Sequence, residues 1–288
     1  MSSLKSYLTL FRATISIFAA ASAATGYFLA PHRQITGVFP VAGAVFLLAC
    51  GASALNQYQE RYIDARMERT RTRPLPSGSI TASHALSLSC ALVLAGLASL
   101  AYACGTKAAL LGLFALLWYN GIYTHLKKRT AFAAVPGAVV GMVPPAIGWV
   151  SAGGALLDPR LAAICFLFFL WQVPHFWLLL LIHGEEYEQA GLPSLTGVMS
   201  KPQIARVTFI WIVAAAIASF ALPFYGILQS PGFYFLLIPC AGWLIWNGRV
   251  LVLVENGPEI SLSPALFKKI NIYLLFIMSL LSLENILS

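Results

Sequence analysis

Charge is distributed along this chain in a way that leaves few folds open. Long stretches without any Asp, Glu, Lys or Arg alternate with short stretches that carry several. The apolar runs are of bilayer-spanning length, roughly 20 residues each. They fall at about 10–30, 37–57, 82–104, 107–126, 132–152, 161–182, 205–227, 232–252 and 270–287. Only 10% of residues are charged and 59% are hydrophobic, against about 25% charged in an average soluble domain. A soluble fold of this length could not hide that much apolar surface, so lipid must cover much of it. Barrel-type alternation is absent, which leaves helices as the spanning elements. The expected fold is all-α, a polytopic membrane bundle of about nine transmembrane helices in a single domain over 1–288.

Alternate loops then differ in charge. One set holds Lys5, Arg61, Arg66, Arg69, Arg71, Arg73, Lys127, Lys128, Arg129, Lys201, Arg206, Lys268 and Lys269, whereas the other holds Arg33, Lys107 and Arg160. The positive-inside rule places the first set and the N-terminus in the cytoplasm and, for an odd number of spans, the C-terminus outside. Glu60, Asp64, Glu68, Glu185, Glu186, Glu188, Glu255 and Glu259 fall on the same side as the basic loops, and Asp158 and Glu284 on the other. Polar chemistry is therefore expected on the cytoplasmic face. The net charge of +8 reflects these loops rather than a nucleic-acid surface. Cys50, Cys90, Cys104, Cys165 and Cys240 lie in or beside apolar runs without metal-ligand spacing, as packing residues do. The first apolar run has no clear cleavage site and reads as a retained span.

The segment richest in chemistry runs from Asn56 to Pro76. Asn56, Glu60 and Asp64 are four residues apart, so a second helix that continues through them places all three on one face. An amide and two carboxylates are oxygen ligands for a hard cation, and Mg²⁺ commonly takes one or two carboxylates and completes its shell with water and substrate phosphates. The arginines that follow, Arg69 and Arg73 among them, have the geometry to hold phosphate oxygens. Acids and bases interleaved in this way suit a metal-diphosphate better than a bare anion. The plainer alternative is a solvated helix end with i,i+4 ion pairs that also anchors topology.

This segment resembles the UbiA-like intramembrane prenyltransferase superfamily, whose Asn-x-x-x-Asp-x-x-x-Asp motif binds Mg²⁺ and an isoprenoid diphosphate. The longer string N-x-x-x-E-R-x-I-D-x-x-M-x-R-T-x-x-R-P-L-P is similar to the branch that farnesylates protoheme IX. Tyr123–Thr130 ("YTHLKKRT"), Gly137–Trp149 ("GAVVGMVPPAIGW"), Trp171–Phe176 ("WQVPHF") and Glu185–Pro193 ("EEYEQAGLP") resemble further segments of that branch, and the likeness covers about 50 to 195. It departs at Glu60, where the superfamily has Asp, and at Ala133, where the heme branch has Asn. The superfamily's second Asp-rich motif is reduced here to Glu185, Glu186 and Glu188.

The resemblance implies a Mg²⁺-dependent transferase in a bacterial inner membrane, with farnesyl diphosphate and heme b as substrates and a downstream heme-modifying enzyme as a candidate partner. It implies catalytic roles for Asn56, Glu60, Asp64, Arg69, Arg73, Lys127 and Lys128. Tyr123, Arg129, His175, His183 and Glu186 are implied as substrate contacts. Ionisation of an allylic diphosphate needs charge stabilisation on the leaving group, which basic residues and a metal supply, and an apolar cavity to shield the cation from water. Topology alone also accounts for Lys127, Lys128 and Arg129. His175 lies in an apolar span beside Pro174, where an ionisable group is costly and reads as functional. It contacts heme by iron or propionate, or else bonds a neighbouring helix. His183 is near the boundary, His125 carries a weaker signal, and His32 and His84 read as structural. Pro144 and Pro145 would kink the fifth span, and Gly137 and Gly141 would let helices approach. Two other functions fit less of the chain: prenylation of a quinone precursor or chlorin, and transport of an anionic metabolite.

Overall fold

A computed structural model describes residues 3–31, 34–253 and 264–287. Among them the regular structure is entirely helical. Eight helices are long and apolar enough to cross a membrane, and a bent N-terminal pair makes up to nine. The helices are α1 (Leu4–Leu10), α2 (Ala13–Leu29), α3 (Val38–Asp64), α4 (Ala82–Cys104), α5 (Thr106–Leu126), α6 (Ala134–Ser151), α7 (Pro159–Gln189), α8 (Lys201–Phe224), α9 (Pro231–Leu253) and α10 (Pro264–Leu287). Large apolar side chains such as Leu94, Leu110, Phe166, Ile210, Phe235 and Ile272 face outward, as lipid contact requires. The chain forms two compact units, one of Met1–Arg129, Val143–Ala155 and Gln189–Leu192, the other of Thr130–Met142, Leu156–Glu188 and Pro193–Ser288.

In the first unit α3 packs against α2 and α4. Its 27 residues rise to about 40 Å, well beyond a hydrocarbon core of about 30 Å. The last turns, which carry Asn56, Glu60 and Asp64, are thus a continuous extension of a membrane helix. Gly51 and Gly96 have no room for a Cβ against α4 and α3 respectively, and such small residues let helix backbones meet closely. The segment after α3 is anchored from below. Ile80 joins Leu10, Ala54 and Ala85 in a buried cluster that Leu75 and Leu88 extend.

In the second unit α8 packs on α9, and α9 on α10. The Trp171 indole donates to the Ile270 carbonyl at 2.8 Å and ties α7 to α10. Glu284 accepts from the backbone amides of Gln229 and Ser230 at 2.5 and 2.7 Å. It thereby satisfies donors that the start of α9 leaves open.

Several element boundaries differ from the sequence expectation. The first span is not one helix: α1 and α2 meet at a 53° bend. Phe11 and Arg12 form the break, and Arg12 adopts φ 44°, ψ 54°, a left-handed conformation that costs a non-glycine residue energy. The sixth span extends to Gln189, which puts His183, Glu185, Glu186 and Glu188 on a helix instead of a loop. The last begins at Pro264, so Lys268 and Lys269 are helical too. The fifth span is interrupted at Ala138, and residues 139–151 stay helical through Pro144 and Pro145. Arg33, Glu255, Glu259 and His32 lie outside the described residues.

Candidate active site

The face of α3 that carries the four-residue spacing is buried. Asn56, Glu60 and Asp64 retain only 1, 4 and 4% of their exposure. Burying carboxylates requires counter-charges, and each polar group receives a basic partner from a different segment. Arg73 Nη1 donates to both oxygens of Asp64 at 2.9 and 2.8 Å. Lys127 forms an ion pair with Glu60. Arg12 Nη2 donates to Asn56 Oδ1 at 3.1 Å and Nη1 to the Tyr119 hydroxyl at 3.2 Å.

Local structure explains how each base arrives. After Asp64 the chain turns back, with the Thr70 hydroxyl donating to the Asp64 carbonyl at 2.8 Å, and buried Met67, Thr70 and Ile80 hold that return in place. Arg73 follows from it. Arg12 is delivered by the break between α1 and α2. Carbonyls freed there find donors: Gln57 Nε2 bonds the carbonyls of Thr9 and Leu10 at 2.8 and 2.9 Å, and Ser16 bonds that of Phe11 at 2.8 Å. Lys127 follows a stretch of α5, Leu117–Tyr123, wound with i→i+5 hydrogen bonds. Such stretches are rare and often sit at functional sites. This one turns Asn120 toward the Ala52 carbonyl (3.0 Å) and Gln59 (3.2 Å), and stacks Tyr119 on Tyr123 with centroids 6.0 Å apart. The Lys127 ammonium lies 5.8 Å from the Tyr123 ring.

The electrostatics favour an incoming anion. Three cations, Arg12, Arg73 and Lys127, face two carboxylates. Burial pushes the Lys127 ammonium below the usual lysine range, against the pull of Glu60. Burial likewise lowers Arg73, the neighbouring charges of Arg12 and Arg69 lower it further, and Asp64 opposes them. Desolvated, crowded cations gain when an anion enters. No group of three His, Cys, Asp or Glu side chains comes together as a metal site among the described residues. Two carboxylates and an amide remain, an all-oxygen donor set that fits Mg²⁺ sharing its shell with phosphates.

Replacing Lys127 by Ala strands the buried Glu60 carboxylate and is expected to cost about 3–5 kcal/mol. Adding Glu60→Gln should recover most of the lost thermal midpoint in detergent. If the double variant melts no higher than the single one, the pair is not what holds this region.

The other expected residues are placed differently. Arg69 is exposed and acts on Arg73 through its charge. Lys128 is half-buried and Arg129 exposed, and neither forms an ion pair among the described residues. His125 is exposed, and His84 bonds the Tyr7 hydroxyl at 3.2 Å. His175, His183 and Glu186 belong to the second unit. There His175 sits among aromatic rings, with centroids 4.7 Å from Phe267, 4.8 Å from Trp171 and 5.9 Å from Phe176. Its Nδ1 is buried without a hydrogen-bond partner among the described residues, while Asn271 of α10 is a hydrogen-bonding neighbour of the ring. His183 Nδ1 lies 3.2 Å from Glu186. Glu185 pairs with Lys201 at 2.7 Å, and Glu188 accepts from the Thr196 hydroxyl. Sequence reasoning missed Arg12, Tyr119 and Thr124. The signal for Arg12 was an arginine at the head of an apolar run.

A family model for the UbiA prenyltransferase family matches residues 15–270. A protoheme IX farnesyltransferase of Geobacter sulfurreducens is 42% identical over 221 residues, covering 77% of this chain and 82% of its own. One from Oleidesulfovibrio alaskensis is 34% identical over 287 residues, covering 99 and 98%. A digeranylgeranylglyceryl phosphate synthase has the same fold, with a TM-score of 0.75 at 20% identity over 100% of both chains. So has a UbiA homolog from Archaeoglobus fulgidus bound to GPP and Mg²⁺, with 0.69 at 14% identity over 96% of this chain and 98% of that one.

Proposed function

This chain belongs to the UbiA prenyltransferase family, and we propose that it acts as a protoheme IX farnesyltransferase. The observation that carries this reading is the 34% identity to a protoheme IX farnesyltransferase over nearly the whole of both chains. In the reaction the C1–O bond of farnesyl diphosphate breaks and diphosphate leaves. A new bond forms between C1 and the terminal carbon of a heme b vinyl group. Water adds to the cation left on the inner vinyl carbon and loses a proton, giving heme O. Atoms and charge balance without a redox partner or a covalent enzyme intermediate.

The first unit supplies what the leaving group needs. Arg12, Arg73 and Lys127 are half-buried and already held at one place, so stabilising the departing diphosphate requires little reorganisation. Arg69 extends the positive field outward. Asn56, Glu60 and Asp64 would hold Mg²⁺, which neutralises leaving-group charge when bound. Lys128, Arg129 and Tyr123 line the same turn as Lys127 and are proposed as outer substrate contacts. In this reading the protein sits in a bacterial inner membrane with the site facing the cytoplasm, which the positive charge of the loops at this end supports. Heme O leaves into the lipid, where a heme-modifying enzyme or an oxidase under assembly takes it up.

For heme, the second unit offers His175, with His183 and Glu186 one helix stretch further on. A buried ring nitrogen without a partner among aromatic side chains suits an iron ligand. His175→Ala is expected to shift the Soret band of bound heme. Were the ring only packing between helices, the variant would lose about 0.6–2 kcal/mol of stability and keep its spectrum. Mass analysis of heme extracted after incubation with farnesyl diphosphate and Mg²⁺ tests the activity itself. A hydroxyethylfarnesyl adduct is expected. Product only with a quinone precursor or chlorin as acceptor would overturn the assignment, as would flux of an anion through vesicles without any prenylated product.

A further inference from the structure

Beside the carboxylates, the hydrogen bonds around Asn56 close into a ring. Arg12 Nη2 donates to Asn56 Oδ1 at 3.1 Å, and Asn56 Nδ2 donates to Thr124 Oγ1 at 3.0 Å. Thr124 Oγ1 donates to the Tyr119 carbonyl at 2.8 Å, and the Tyr119 hydroxyl accepts from Arg12 Nη1 at 3.2 Å. The ring settles which way the amide points. A threonine hydroxyl has one proton, and Thr124 spends it on Tyr119, so toward Asn56 it can only accept. Arginine can only donate, so the amide oxygen must face Arg12. Both neighbours therefore demand the same orientation. Thr124 is fully buried, so no water replaces it.

We propose that Thr124 is a positioning residue for the Mg²⁺-diphosphate site. Its hydroxyl locks the Asn56 amide with the nitrogen turned away and the oxygen presented, as a metal ligand requires. The wide i→i+5 winding before Thr124 brings both its hydroxyl and the Tyr119 carbonyl to this place. An amide oxygen has two lone pairs, so the Arg12 contact leaves one for a cation. Without the Thr124 acceptor, a buried NH₂ group is left unpaired, and the Arg12 contact alone holds the amide orientation.

This inference rests on the metal-diphosphate reading of the site. The experiment measures the thermal midpoint of purified protein against Mg²⁺ concentration, in a fixed amount of inorganic diphosphate. Partners that orient metal ligands are worth about 10–100-fold in affinity, so Thr124→Val should raise half-saturating Mg²⁺ by about 10-fold or more. Thr124→Ser, which keeps the hydroxyl, should restore it. With Asn56→Ala in the background, Thr124→Val should no longer change the half-saturation, because Thr124 acts through Asn56. A merely structural Thr124 would lower the midpoint at every Mg²⁺ concentration and leave half-saturation alone, which overturns the proposal. Should Thr124→Val fail to insert, Thr124→Cys is read in the same way. Absence of any Mg²⁺-dependent shift in the unsubstituted protein would instead overturn the metal-diphosphate reading, and this inference with it.

Discussion

Asp64→Ala is expected to abolish farnesyl transfer while the protein still inserts and folds. Asp64 is buried at the end of α3, and both its oxygens are engaged by one nitrogen of Arg73. The substitution removes a metal ligand and the group that aims Arg73. Outer partners of metal ligands already count for about 10–100-fold, so loss of a ligand together with its partner should exceed that range. Asp64→Asn keeps shape and one acceptor for Arg73, and should lose less stability than Asp64→Ala yet remain inactive, since it lacks the charge. Glu60→Asp retains a carboxylate on the same face and should keep activity. Steady-state production of farnesylated heme, measured with and without EDTA, checks all three. Full activity of Asp64→Ala, or activity indifferent to EDTA, would end the metal reading.

Most of this site was legible in the sequence because its parts are local. Four-residue spacing on one helix is a direct geometric statement, and α3 does run through to Asp64. Arg73 and Lys127 sit in charged segments next to apolar runs, where a basic residue stands out. Arg12 was harder to read. It depends on a helix break, and neither Gly nor Pro marks that break. The left-handed residue is the arginine itself; Asn56 of another helix engages its side chain, and Gln57 beside it bonds the carbonyls of Thr9 and Leu10. Tertiary contacts of this kind leave no trace in local pattern. Thr124 and Tyr119 were hidden for a related reason. Their alignment with Asn56 follows from i→i+5 winding over Leu117–Tyr123, and a helix wheel of 3.6 residues per turn puts them on the wrong face. Helix ends were misplaced where polar residues continue a membrane helix beyond the lipid, as at His183 to Glu188. Hydropathy stops there although hydrogen bonding does not.

Gly148→Val should cost more than about 3 kcal/mol and, in a membrane protein, should appear as loss of extractable folded material. A Cβ at Gly148 on α6 would collide with the Ala23 carbonyl and the Tyr27 amide of α2, and one at Gly26 on α2 would collide with the Pro145 backbone of α6. Each helix thus presents a glycine to the other's backbone, and backbone cannot rotate away as a side chain can. The two helices would have to part, loosening Trp149 and Ala23, both fully buried. The damage would also reach the site. Arg12 stands at the N-terminal end of α2, and displacing that helix pulls its guanidinium from Asn56 and Tyr119. Any residual folded Gly148→Val protein should therefore bind Mg²⁺-diphosphate more weakly than the parent. Gly242→Ala on α9 is the matched control, because a Cβ there meets nothing within 4 Å. It should leave yield and thermal midpoint unchanged or slightly raised. A Gly148→Val protein with parental yield and midpoint would mean that α2 and α6 do not touch backbone to backbone at this crossing.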